Sequence, residues 1–152
     1  MRTSSTRSRG HGLCFFVFYF SMSNIKNKIK LAEKSIVLID DYVDEESIEV
    51  LSEKQDGVKV EVYSKNKLMT NLRNIKRRRG FRAGFRFLEA KCFRNMYLLI
   101  DEKFLFMLSR SIRYNAKRSF WFIQILDINE IDRIRNKIRE CDLLLRGQYR
   151  HF

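Results

Sequence analysis

Blocks of apolar and polar residues alternate along most of the chain. In residues 23–34, isoleucines recur at helical spacing with lysines between them, which predicts an amphipathic helix. Residues 35–42 form an apolar run that ends in two acids, which is typical of a strand buried on both faces and usually parallel. Residues 44–54 predict a second helix, which Asp44 can cap and whose first turn is acidic. Residues 58–63 then alternate as a half-buried strand.

The second half of the chain predicts two helices with four strands between them. Residues 65–79 carry apolar positions at helical spacing in an otherwise basic segment. The last helix opens at Asp127, and Glu130 three residues later completes a capping-box pattern. The four strands are expected at residues 81–89, 97–100, 104–108 and 120–125, the middle two forming a hairpin around the turn 101–103.

The element order α-β-α-β-α-β-β-β-β-α indicates an α/β fold with a mixed, partly parallel β-sheet flanked by helices. The two early βα units favour a parallel part of the sheet, and the later hairpin adds antiparallel strands. A chain of 152 residues is long enough for one domain with its own core. We expect this domain at residues 23–145, with an N-terminal extension at 1–22 and a basic tail at 146–152.

Residues 1–21 differ in composition from the rest of the chain. The first twelve are basic and Ser-rich, and the eight apolar residues after them, LCFFVFYF, are too few to cross a bilayer as a helix, which takes about 20. We therefore expect no transmembrane segment. The pattern partly matches a secretory signal. An upstream extension before a domain start at Met22 and an unpaired flanking strand are the alternatives, and they stay open.

The positive charge of the chain is concentrated in one segment. The net charge is +13, and Lys65–Arg94 holds eleven basic residues against the single acid Glu89, a local charge of +10. Asp40–Asp56, in contrast, holds eight acids against Lys54. Because arginine forks suit phosphate oxygens, the basic segment favours an anionic partner, either nucleic acid or an acidic membrane surface. The alternative is a solvated helix face neutralised by the acidic segment of the same or a neighbouring molecule.

Cysteine and histidine positions argue against most metal and histidine chemistry. Cys14, Cys92 and Cys141 lie far apart and have no zinc-site spacing, which favours free or buried thiols in a reduced, cytoplasmic setting. The two histidines, His11 and His151, lie near the chain ends. No phosphate-binding glycine loop is present, and we expect no cofactor and no metal.

Three aspartates follow the first buried strand, where open α/β sheets place their ligands. Asp40, Asp41 and Asp44 have the oxygen ligands that Mg²⁺ prefers. Capping of the following helix is the favoured interpretation of this cluster.

Three strings carry a resemblance to a known group of proteins. They are IKLAEKSIVLIDDYVDEES, VKVEVYSKN, and YLLIDEK followed by SRSIRYNAKRSF. Together with the element order, they resemble the phospholipase-D-like superfamily. More narrowly, they resemble a single-motif domain found at the C-terminus of some phage-antirepressor-type bacterial DNA-binding proteins. The resemblance runs from about Ile25 to about Leu144, and the first string is its most specific part.

Members of that superfamily carry a His-x-Lys-x4-Asp motif, with Arg able to replace Lys. The resemblance implies that His attacks phosphorus, that the basic residue holds phosphate oxygens, and that Asp supports the structure. On this chain the Asp position falls on Asp101 and matches, whereas the His position falls on Arg94 and the Lys position on Met96. A downstream hydroxyl residue that helps to shape the pocket falls on Ser111. Since a guanidinium stays protonated and a thioether carries no charge, the motif is degenerate. Met96 is best interpreted as a core residue.

We therefore expect a domain that binds nucleic-acid phosphate without catalysis. The resemblance also implies a homodimer, because one-motif members need two copies to assemble a site. The retained motif residues are Asp101 and Ser111. The expected phosphate contacts are the basic residues Arg73, Lys76, Arg77, Arg78, Arg82, Arg86 and Arg94. Two alternatives remain: an active phosphodiesterase or nuclease that acts as a dimer or with an intact partner, and a protein-interaction or regulatory module of a phage-type DNA-binding protein.

Overall fold

The computed structural model describes residues 3–7, 15–19, 22–65, 84–115, 117 and 119–149, with side chains described for 25–65, 84–115, 117 and 119–145. Strands and helices alternate through this part of the chain. The strands are β1 (Thr3–Arg7), β2 (Phe15–Tyr19), β3 (Ser35–Asp40), β4 (Lys59–Ser64), β5 (Phe85–Glu89), β6 (Met96–Ile100), β7 (Phe104–Leu108) and β8 (Phe122–Ile125). The helices are α1 (Met22–Leu31), α2 (Glu45–Leu51) and α3 (Ile128–Tyr149), and a 3₁₀ turn spans Ile112–Tyr114.

The eight described strands form one mixed sheet in the order β1-β2-β8-β7-β6-β3-β4-β5. The strands β3, β4 and β5 run parallel to one another. All other neighbouring pairs are antiparallel, including the hairpin of β6 and β7. The expected α/β fold with a mixed, partly parallel sheet flanked by helices is confirmed.

The helices cover the two faces of the sheet, which gives a three-layer sandwich. Apolar residues of α1 and α2, among them Ile25 and Ile48, pack on one face in what we call the α1/α2 core. Apolar residues of α3, among them Ile134 and Ile138, pack on the other face in the α3 core. Both cores take alternate side chains of the same buried strands. For example, Leu98 of β6 is fully buried in the α1/α2 core, and a buried leucine side chain contributes about 1.5–3 kcal/mol.

Both ends of the chain contribute to regular elements. The segment expected as an extension supplies β1 and β2, and β2 pairs with β8. Helix α3 continues to Tyr149, into the segment expected as a tail. The helix expected at 65–79 falls, apart from Lys65, outside the described residues. Among the described residues, no helix is both long enough and apolar enough to cross a membrane.

Helix α2 begins with a capping box. Asp44 accepts a hydrogen bond from the backbone N–H of Ser47 at 3.1 Å, and the Ser47 hydroxyl accepts one from the N–H of Asp44 at 3.2 Å. This confirms the cap expected at Asp44 and satisfies two backbone donors of the helix start.

Two of the three cysteines form a disulfide. Cys92, in the connection between β5 and β6, is bonded to Cys141 of α3, with a Cα–Cα distance of 7.6 Å. The expectation of free or buried thiols is therefore wrong for this pair. The bond links residues 49 positions apart in sequence, which no local spacing rule detects. Cys14 lies outside the described residues.

Candidate phosphate-binding site

The carboxyl ends of β3 and β4 lie beside the start of β6 at one end of the sheet, which we call the motif edge. Asp40 lies at the carboxyl end of β3, and the register of the antiparallel pair places it opposite Met96, the first residue of β6. Ser64 ends the parallel neighbour β4 and pairs with Asp40. Since open α/β sheets bind ligands at the carboxyl ends of parallel strands, this edge is the natural place for a site.

Arg94 lies just before β6 and faces α3. It lines a depression of about 430 Å³ together with residues of its own connection and of α3. The full lining is Phe93, Arg94, Asn95, Tyr97, Arg133, Ile134 and Lys137. The Arg94 side chain is exposed and makes no hydrogen bond or ion pair with another described residue.

Met96 faces the opposite side of the sheet. It is half-buried and packs against the α1/α2 core, as expected for a methionine that fills a gap. In a regular strand, residues 94 and 96 would share a face, because side chains alternate. A bend at Arg94 and Asn95 breaks that alternation. The two motif positions that would act together on one phosphate thus lie on opposite faces of the sheet.

Asp101 lies at the other end of β6. Its carboxylate accepts hydrogen bonds from the backbone N–H groups of Glu33, Lys34 and Ser35, at 3.1, 2.7 and 3.1 Å. Partial burial pushes its pKa upward, but these bonds hold the pKa below the ordinary value of 3.8. Because β6 has five residues, Asp101 and Arg94 are about 17 Å or more apart in one chain. Through these hydrogen bonds, Asp101 links the β6–β7 turn to the residues at the start of β3.

Asp101 also occupies a demanding backbone position. Its φ is 54°, that of Glu102 is 58°, and the N–H of Lys103 donates to the carbonyl of Ile100 at 3.0 Å. Two successive residues with positive φ are a feature of type I′ hairpin turns, where Asp and Asn are favoured. Both its conformation and its hydrogen bonds make Asp101 a structural residue.

Ser111 and Asp40 belong to a buried polar cluster behind the motif edge. The Ser111 hydroxyl donates to the carbonyl of Tyr42 at 2.9 Å, and Asp40 accepts from the N–H groups of Ile112 and Tyr42 at 2.8 and 3.1 Å. Asp40 is only 2% exposed, and this burial raises its pKa despite the hydrogen bonds. The cluster joins the end of β3 to the 3₁₀ turn, so both side chains hold the edge together.

The acids expected as an alternative magnesium site make other contacts. Asp41 pairs with Lys65 at 3.1 Å, and Asp44, the cap of α2, lies 3.7 Å from Arg113. Among the described residues, no group of three His, Cys, Asp or Glu side chains is arranged to hold a metal ion. The favoured interpretation of these aspartates, helix capping, is confirmed for Asp44.

The remaining predicted contacts fall into two groups. Arg86, in β5, donates to Asp142 of α3 at 2.7 Å, which offsets its charge. The other predicted contacts lie outside the described residues: Arg73, Lys76, Arg77, Arg78 and Arg82.

Two cations of the depression were missed from the sequence. Arg133 and Lys137 lie one turn apart on α3, on either side of the buried Ile134. They stood in a helix of mixed charge outside the strongly basic segment, so charge density did not single them out. The available signal was their spacing of four residues beside an apolar position that faces the sheet.

Several solved structures have a similar fold. Nuc from Salmonella typhimurium, described as a phospholipase D family member, aligns with a TM-score of 0.60 at 12% identity over 92% of this chain and 94% of Nuc. NucT from Helicobacter pylori aligns with a TM-score of 0.59 at 12% identity over 79% of this chain and 86% of NucT.

The chain has a phospholipase-D-like fold.

A third structural neighbour is phosphatidylserine synthase from Haemophilus influenzae, with a TM-score of 0.51 at 13% identity. The alignment covers 85% of this chain and 39% of the synthase, so the chain spans well under half of that protein. No protein-family model matches the sequence, and no curated protein is significantly similar to it. These likenesses show the fold alone.

Proposed function

We propose that this chain is a catalytically disabled phospholipase-D-like domain that binds nucleic-acid phosphate. The observation that carries the proposal is Arg94, an exposed guanidinium that makes no ion pair with any described residue and that the resemblance places at the position of the motif nucleophile. A guanidinium attracts phosphate but cannot act as a nucleophile.

The split geometry of the motif supports the non-catalytic part of the proposal. Phosphoryl transfer requires the nucleophile and the oxygen-binding cation to act on the same phosphate. Here Arg94 faces α3, whereas Met96 packs into the α1/α2 core. The described acid and hydroxyl at the motif edge, Asp40 and Ser111, are engaged in hydrogen bonds to the backbone and do not stand in for the imidazole.

The basic segment supports the choice of nucleic acid as the partner. Lys65–Arg94 carries a net +10, enough to contact several successive phosphates. If all seven predicted contacts form, affinity should fall between 50 and 200 mM salt by about three orders of magnitude for a single-stranded oligonucleotide and about four for a double-stranded one. An affinity that stays constant over this range would refute phosphate contacts of this kind.

Fluorescence anisotropy with labelled DNA and RNA is the direct test. Neutralising the adjacent arginines in Arg77→Gln/Arg78→Gln should weaken binding to all sequences and reduce the salt slope by about two. Arg139→Gln/Lys103→Gln is the matched control, because it removes the same charge at exposed positions outside the basic segment. An equal loss in both double variants would indicate a response to net charge alone.

An active phosphodiesterase is the rival function, and the fold favours it because the structural neighbours include Nuc, a phospholipase D family member. Turnover of bis-p-nitrophenyl phosphate by the purified chain would establish it. We also propose a homodimer, as one-motif relatives require, and light scattering after size-exclusion chromatography tests this. A monomer under binding conditions would limit the proposal to a single-chain binding module.

A further inference from the structure

The depression beside Arg94 is built from two separate elements that carry the same charge. Arg94 comes from the connection between β5 and β6, and Arg133 and Lys137 come from successive turns of α3. None of the described residues that line the depression is a carboxylate. Cations on opposing walls of one concave space repel each other, so the arrangement favours an anion between them.

The orientation of the two α3 cations is set by neighbouring side chains. Glu130 accepts two hydrogen bonds from Arg133, through Nε at 3.0 Å and through Nη2 at 2.5 Å, and these bonds lower the pKa of Glu130. Arg133 also interacts with the Tyr97 hydroxyl, and the five N–H donors of a guanidinium exceed what these two partners take. The Lys137 ammonium lies 5.2 Å from the centroid of the Phe93 ring, which holds it at the wall of the depression.

The local charge matches a doubly charged ligand. The three cations give +3, and Glu130, bonded to Arg133 at the rim, reduces this to +2. A phosphate monoester carries about −1.5 to −2 at pH 7, because its second pKa is about 6. A phosphodiester carries only −1. It also has two ester groups that must both leave the concave space, whereas a monoester has one.

We propose that this depression binds a terminal phosphate monoester, such as the phosphorylated end of a nucleic-acid strand. The volume of about 430 Å³ accommodates the phosphate and part of the attached nucleoside. The buried rings of Phe93 and Tyr97 form the floor of the depression, and the amide of the exposed Asn95 adds a donor. The proposal rests on the proposed function in taking phosphate as the ligand, but it uses the α3 cations instead of the basic segment.

The test compares three oligonucleotides of one short sequence that carry a 5′-phosphate, a 3′-phosphate or no terminal phosphate. Anisotropy titrations at 150 mM salt should show at least tenfold tighter binding of one phosphorylated form, the gain expected from one or more charge-assisted hydrogen bonds. Phenyl phosphate should compete with that form, whereas diphenyl phosphate at matched ionic strength should not.

Single variants separate this depression from the basic segment. Arg133→Gln and Lys137→Gln should each abolish most of the preference for the phosphorylated end and leave binding of the unphosphorylated strand within about twofold. Arg139→Gln, an exposed arginine of α3 that does not line the depression, is the matched control and should keep the preference. Circular dichroism of each variant confirms that it is folded.

The outcomes distinguish the two proposals. Equal affinity of the wild type for all three strands overturns the monoester site. If that binding is still salt-dependent, the proposed function stands. A preference that persists in both Arg133→Gln and Lys137→Gln also overturns it. Binding of phenyl phosphate or of phosphorylated ends, without salt-dependent binding of unphosphorylated strands, supports the site and refutes the proposed function. Failure of wild-type protein to bind any of these probes refutes both.

Discussion

Asp101 should contribute to stability rather than to ligand binding. Replacement by Ala removes the acceptor for three backbone N–H groups, those of Glu33, Lys34 and Ser35. A hydrogen bond to a charged group contributes about 1.5–3 kcal/mol when its loss leaves a donor without a partner. Two of these donors are exposed enough for water to replace the carboxylate. The expected loss for Asp101→Ala is therefore about 2–3 kcal/mol rather than the sum of three full bonds.

Asp101→Asn is the sharper variant because it keeps shape and conformation. Asn tolerates the positive φ of 54° that this position requires, so no backbone cost is added. Its amide oxygen can replace Oδ1, the acceptor of all three N–H groups, but the negative charge and the second bond from Glu33 to Oδ2 are lost. We expect a loss of about 1–2 kcal/mol, which for a domain of this size is a fall in Tm of about 2–8 °C.

Urea denaturation followed by circular dichroism measures both losses, with Glu102→Gln as the control. Glu102 lies in the same turn, and its nearest cation, Arg135, is 3.9 Å away at an exposed site, so its replacement should cost under about 0.5 kcal/mol. Oligonucleotide affinity, measured below the unfolding transition, should stay unchanged in all three variants. Unchanged stability of Asp101→Ala together with a loss of phosphate affinity would refute the structural role.

The pH dependence of the wild type provides a second readout of this role. The pKa of Asp101 is lowered in the folded state, so its contribution is present above the unfolded value near 3.8 and is lost as pH falls through the folded value. The stability gap between wild type and Asp101→Asn should stay constant from pH 7 to about pH 5 and narrow below about pH 4. A gap that closes already near pH 6 would indicate another titrating group.

Three further predictions concern the motif edge and the disulfide. Ser111→Ala removes the hydroxyl that donates to the carbonyl of Tyr42 at 2.9 Å and should cost about 1–2 kcal/mol in urea denaturation. Phosphate affinity should not change, and a loss of affinity at unchanged stability would contradict this. Burial raises the pKa of Asp40, so the folded state holds its proton above pH 3.8, and stability should fall as pH rises from 3.8 through the pKa of the folded state. Asp40→Asn should flatten this part of the stability–pH curve, and an unchanged slope would reject the assignment. Cys141→Ser removes the link to Cys92, which lies 49 residues away in sequence, and should cost up to about 4 kcal/mol under non-reducing conditions. Dithiothreitol should remove the difference from wild type, and a difference that persists would show that it comes from packing.

Local patterns predicted most of the fold. Helical spacing located α1 through Ile25 and Ile29, both fully buried, and the continuous apolar run located β3, whose two faces are both covered. The hairpin of β6 and β7 followed from two apolar runs separated by three polar residues. The pairing of β2 with β8 joins segments more than 100 residues apart, and nothing in either segment specifies its partner.

The site was less predictable than the fold, for two physical reasons. The distance between Arg94 and Asp101 follows from strand geometry, but the bend at Arg94 and Asn95 that turns Arg94 toward α3 has no sequence signature of its own. The cations opposite Arg94 depend on how α3 lies across the sheet. That position is set by packing of Ile134 and Ile138, not by local charge.

The hydrogen bonds that Asp101 accepts from the backbone bear on how catalytically inactive relatives of enzymes are recognised. A residue that holds two turns together can be kept for stability alone, because its loss destabilises the protein whatever ligand the protein binds. Its presence in a motif therefore carries no information about turnover. Under the proposed function, positions 94 and 96 are therefore the ones to inspect for catalytic competence in this chain, and Asp101 is not.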